Sequence, residues 1–145
     1  MRTPFQSSLM TGVVFLALGC FVAGCSEDTP TSPSTPVATT TDVFTGTLAV
    51  GESKYHLFTV VASSNAVATL ASLTTVDGQA LQSPITIGLG QPGEGVCSVT
   101  SSISTRPSLA GQLTASVSAG AYCLNVADSG GISAPVNYTI RVVHP

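Results

Sequence analysis

The sequence predicts an all-β protein: a single antiparallel β-sandwich of the jelly-roll kind, set behind a leader and an extended linker. Three observations carry this prediction. From Asp42 onward, apolar residues recur in short runs with period two, and no run keeps the 3.6-residue period of a helix. Gly, Asn, Asp and Pro interrupt these runs about every ten to fifteen residues. Charge is scarce, with Asp, Glu, Lys and Arg making up only 8% of the chain, so Ser and Thr must supply the polar surface. Hydroxyl-bearing and β-branched side chains fit the solvated side of a pleat.

The chain opens with a thin positive charge at Arg2, followed by the apolar run "GVVFLALGCFVAG", residues 12–24. A helix needs about twenty such residues to span a bilayer, so this run matches the core of a secretory signal instead. It ends in Val22-Ala23-Gly24-Cys25, an aliphatic residue, two small ones and a cysteine, which resembles the lipobox of bacterial lipoproteins. The resemblance implies that residues 1–24 are a cleaved signal peptide and that the Cys25 thiol takes a diacylglycerol thioether. The freed amine would then be acylated, with palmitate for example. Each buried methylene contributes about 0.8 kcal/mol, so two or three chains anchor where one does not. Cys20 competes for the role, but Ala17 and Leu18 before it fit less well, and its use would leave apolar residues on the mature chain. The membrane is therefore the first expected partner, reached through lipid, in a bacterial cell envelope. Ser26, directly after the lipidated cysteine, favours the outer membrane over the inner.

Residues 25–41 are read as the lipidated cysteine and its linker. "SEDTPTSPSTPVATTT" holds three prolines and nine Ser or Thr, with almost nothing to bury. No burial offsets its ordering entropy, and Pro30, Pro33 and Pro36 bias it towards polyproline II. At about 3.1 Å per residue it spans roughly 50 Å.

Residues 42–145 are the expected sandwich. "FTGTLAV" and "KYHLFTVVA" are separated by Gly51-Glu52-Ser53, read as a hairpin connection. "AVATLASLTTV" ends at the turn signal Asp77-Gly78. Ile85, Ile87 and Leu89 alternate, and a glycine-rich turn "GQPGEG" follows them. Leu113, Ala115 and Val117 alternate up to a turn at Ala119-Gly120. Tyr122, Leu124 and Val126 then share one face, as do Tyr138, Ile140 and Val142. Gly46, Leu48, Tyr55, Phe58, Val60, Gly120, Tyr122, Leu124, Val126, Tyr138, Ile140 and Val142 together form a pattern that resembles the bacterial pre-peptidase C-terminal (PPC) domain. The resemblance implies a non-catalytic accessory jelly roll on a secreted protein, with collagen or calcium binding in some relatives. Unlike the usual setting of that family, the module is expected to stand without a preceding catalytic domain.

Beyond residue 25 the only cations are Lys54, Arg106 and Arg141, set against seven acids. Nucleic-acid binding needs Lys or Arg to displace counterions, and this balance argues against it. Cys97 and Cys123, the cysteines past the anchor, read as one disulfide in an oxidising compartment, with a buried thiol pair as the alternative. His56 and His144 are the only neutral-pH bases and would have to serve the competing reading, a small hydrolase. Neither sits in a nucleophile elbow, and two histidines without further ligands make no zinc site. Calcium takes about six to eight oxygens. The acids near turns, Asp42, Glu52, Asp77, Glu94 and Asp128, show no D-x-D pairing, which leaves Asp128 as the single nominee beside its plain turn role. No cofactor is expected. A protein or glycan ligand is open, although the chain has no Trp for a sugar-stacking platform. The leading expectation is a non-catalytic envelope lipoprotein presenting a binding or adhesion module. A structural subunit of a larger envelope assembly is the alternative.

Overall fold

A computed structural model describes residues 37–145; the leader, Cys25 and the linker up to residue 36 lie outside the described residues. Eight strands follow in order: β1 Thr40–Leu48, β2 Ser53–Val60, β3 Ser64–Thr75, β4 Ile85–Gly93, β5 Val96–Thr105, β6 Leu113–Val117, β7 Gly120–Ala127 and β8 Val136–His144. They form two four-stranded sheets, ordered β1-β8-β3-β6 and β2-β7-β4-β5, in which every pairing is antiparallel. Of the successive strand pairs, only β4–β5 stays within one sheet; all others cross. That wrapping is the jelly roll, as expected.

Period-two alternation places one face of each strand in the core. Ile85, Ile87 and Leu89 from β4 meet Leu124 and Val126 from β7, and the other sheet contributes Leu70, Tyr138, Ile140 and Val142. Each such side chain stabilises by about 1.5–3 kcal/mol when fully buried. In β3 the register slips between Leu70 and Ser72. That bulge at Ala71 turns both Leu70 and Leu73 inward, which strict alternation forbids. The outer face of the first sheet carries the expected hydroxyls, with Thr45 opposite Thr139 and the Thr47 hydroxyl donating to Asn137 Oδ1 at 2.7 Å.

Three expectations need correction. Gly51-Glu52-Ser53 does not close a hairpin, because β1 pairs with β8 and β2 with β7. The 49–52 turn instead carries the chain from one sheet to the other, and a tight turn has the same local chemistry in either role. Second, "GQPGEG" is mostly strand: β4 runs to Gly93, Glu94-Gly95 turns, and β5 pairs back along it. Third, the linker's last two threonines belong to β1, where Thr40 and Thr41 lie opposite His144 and Val143.

The β4–β5 hairpin is bent. Residues on strands two apart in a flat sheet lie about 9.5 Å from each other, yet the Cα atoms of Cys97 on β5 and Cys123 on β7 are 5.8 Å apart and disulfide-bonded. An extra residue at Thr100 breaks the register between Leu89 and Gly90, and the hairpin tip folds over the outer face of β4. Gly90 makes this approach possible, since a Cβ there would strike the Ser98 carbonyl. Cys123 lies outside the apolar core, as its phase predicts, but it is wholly buried beneath this fold.

Candidate functional site

The connections divide unequally between the two ends of the sandwich. One end has the short turns 61–63, 94–95 and 118–119; the other has the longer connections 49–52, 76–84, 106–112 and 128–135. Loops held on a rigid scaffold are where binding groups concentrate. A groove of about 280 Å³ opens at the long-loop end, between the 76–84 connection and the 128–135 loop.

Local chemistry builds both walls. After β3, the Gly78 N–H donates to the Thr75 carbonyl at 3.0 Å, and the Leu81 N–H donates to Leu73 at 2.8 Å. The connection thus doubles back along β3. Leu81 packs against the core while Val76 and Asp77 stay at the exposed tip. The opposite wall is shaped by Asp128. Its Oδ1 accepts the N–H groups of Gly130, Gly131 and Ile132 at 2.9, 2.8 and 3.3 Å, and its Oδ2 accepts that of Gly51 at 2.8 Å. One carboxylate therefore ties the 49–52 turn to the 128–135 loop. These donors, Gly51 foremost, hold the Asp128 carboxyl below its ordinary value against the opposing effect of desolvation. Gly131 then presses on the Pro84 carbonyl, where no Cβ would fit, and brings the two walls together. Ile132, Pro135 and Val136 form the apolar side, while Ser83, Ser133 and Asp77 supply polar atoms.

The residues singled out from the sequence fall elsewhere. Asp128, the calcium nominee, spends both oxygens on backbone N–H groups, and a cation would have to displace them. Among the described residues, no three His, Cys, Asp or Glu side chains converge on a common point. His56 and His144 both point between the sheets. His56 Nε2 lies 2.8 Å from the Tyr138 hydroxyl, with the imidazole stacked on Phe44 at a ring distance of 5.0 Å. Burial first, and Lys54 second, lower the His56 pKa, whereas desolvation raises that of Tyr138. Neither shift activates a nucleophile. His144 is buried, with Nε2 3.0 Å from Asp42 Oδ2 and Nδ1 3.0 Å from the Pro145 carbonyl. His56 reaches Tyr138 and His144 packs on Phe58 across the seam between the sheets, and among the described residues neither imidazole hydrogen-bonds to a serine or cysteine.

Sequence reasoning did not find the groove. Its apolar members lie in connections, outside any alternating run, and the usable signal was hydrophobic residues in turn-rich segments: Val76, Leu81, Ile132 and Pro135. Tyr55 is the aromatic that leaves the core, on the outer face of β2 beside exposed Leu57. Compared with known proteins, the chain matches no family model and no curated protein.

Proposed function

We propose that this chain is a bacterial envelope lipoprotein, anchored through acylated Cys25, whose jelly roll is a non-catalytic binding module. The observation that carries the reading is the opposition of the two ends. The chain enters β1 at Thr40, beside the C-terminal His144 on the short-turn end, while the groove lies beyond the far end of β1. Eight residue steps along that strand cover about 27 Å. Thr40 and the groove thus lie at opposite ends of the sandwich. The lipobox-like Val22-Ala23-Gly24-Cys25 and the Pro/Thr-rich linker supply the anchor and the reach.

The resemblance to the PPC domain supports an accessory role. Of the twelve residues that carry it, Leu48, Phe58, Val60, Tyr122, Leu124, Val126, Tyr138, Ile140 and Val142 are buried in the core, whereas Tyr55 is exposed. The engagement of both histidines weighs against the hydrolase reading. A structural subunit is the second reading, favoured by Tyr55 and Leu57, which lie exposed on the outer face of edge strand β2. Mass spectrometry of the mature protein from its host tests the anchor. A chain beginning at diacylglyceryl-modified Cys25 is expected, and an unmodified leader still attached to it overturns the reading. Affinity isolation from detergent extracts separates the two roles: a stoichiometric assembly lost on Leu57→Lys supports the structural subunit.

A further inference from the structure

We propose that the groove at the long-loop end binds an apolar side chain adjacent to a lysine or arginine on a partner polypeptide. The inference rests on the reading of this protein as a binding module and names what its groove takes. At about 280 Å³ the groove falls just under the range of roughly 300–1,000 Å³ typical of small-molecule pockets, and it fits a single bulky side chain better than a whole cofactor. Leu81, Ile132, Pro135 and Val136 give it an apolar lining, and burying a side chain against them supplies the driving force.

The charge at its rim sets the second half of the specificity. Three acids lie at this end of the sandwich. Glu52 accepts the Ala49 N–H at 2.7 Å and pairs with Lys54 at 3.4 Å. Asp128 is occupied by four backbone N–H groups. Asp77 differs: among the described residues its carboxylate has no hydrogen-bonding or ionic partner, and no lysine or arginine lines the groove. The described residues as a whole carry three cations against five acids, so the wider field has the same sign. An apolar segment with a neighbouring cation would meet both features together, while an acidic neighbour would be repelled by Asp77.

The test uses the full-length lipoprotein in detergent and three dipeptide probes with a common ring: acetyl-Phe-Lys-amide, acetyl-Phe-Gln-amide and acetyl-Phe-Glu-amide. Binding is followed by methyl NMR shifts of Leu81, Ile132 and Val136, with detergent alone as the blank. The lysine probe is expected to bind about two- to fivefold more tightly than the glutamine probe, the range of one exposed ion pair. The glutamate probe should bind most weakly. The lysine preference should shrink as salt rises. Asp77→Asn should erase the preference, so that the lysine and glutamine probes bind this variant equally. If the three probes bind alike, or the glutamate probe binds best, the assigned ligand chemistry is wrong while the groove remains a binding site. If none of them shifts these methyl groups, the binding-groove reading fails as well.

Discussion

The two ends of the sandwich are held by different chemistry. At the short-turn end, the Cys97–Cys123 bond fastens the folded-over β4–β5 tip to β7, a covalent restraint that ordinary pH leaves untouched. At the long-loop end, the Asp128 carboxylate joins two connections through hydrogen bonds and nothing stronger. The end at which β1 begins is therefore locked, while the end that carries the groove is held by a titratable group. Binding loops are generally drawn from the less stable parts of a fold, because they must adjust to what they bind.

Removing the covalent restraint should give the largest effect. The bond closes a loop across a separation of 26 residues, and Cys97→Ser with Cys123→Ser should cost about 3–4 kcal/mol in urea denaturation. Hydrogen exchange should quicken across residues 91–101 while Gly130–Ile132 stay protected. Equal loosening at both ends would break the comparison. Gly90→Ala attacks the same end without touching sulfur. Its methyl group meets the Ser98 carbonyl, and a cost of about 1–3 kcal/mol is expected, with free thiol appearing in the purified protein as the hairpin lifts.

Asp128→Asn should reverse the pattern, with exchange rising at Gly51, Gly130 and Gly131 and the disulfide intact. Melting should fall by a few degrees. Because the folded Asp128 carboxyl is depressed, its contribution is fully present above the unfolded value of about 3.9 and is lost as pH falls through the lower folded value. Wild-type protein should therefore lose stability in that acid window, and the Asn variant should lose less. The smallest effect belongs to the seam between the sheets. The lowered pKa of His56 means that its contribution is present above about pH 6.5 and declines as pH falls towards the folded value. His56→Gln should flatten the melting temperature against pH just below 6.5 and leave groove exchange unchanged.

Most of the strands were legible because period two is a local property. Ile85-Ile87-Leu89, Tyr122-Leu124-Val126 and Tyr138-Ile140-Val142 each mark an inward face, and all nine side chains are buried in the core. β5 was not legible. As an edge strand with an extra residue at Thr100, "VCSVTSSIST" keeps no clean alternation and reads as loop. The disulfide pairing was available from arithmetic, since only two cysteines lie beyond residue 25, but the folding-over that brings them together was not. The groove stayed hidden because its walls are connections, and the residue that shapes one of them, Asp128, looks like any other turn aspartate in "ADSGG".

Composition and periodicity alone determined that residues 42–145 form an all-strand domain, that its surface is built on hydroxyls, and where most strands lie. Those properties depend on neighbours within a few residues, which a linear text displays. Only the tertiary structure decided that β1 and β2 part into different sheets, that Asp128 serves as a clasp, and that Asp77 stands beside an apolar groove at the end remote from Thr40. Each of these depends on contacts between residues far apart in sequence, and such partners are chosen by the packing of the whole core.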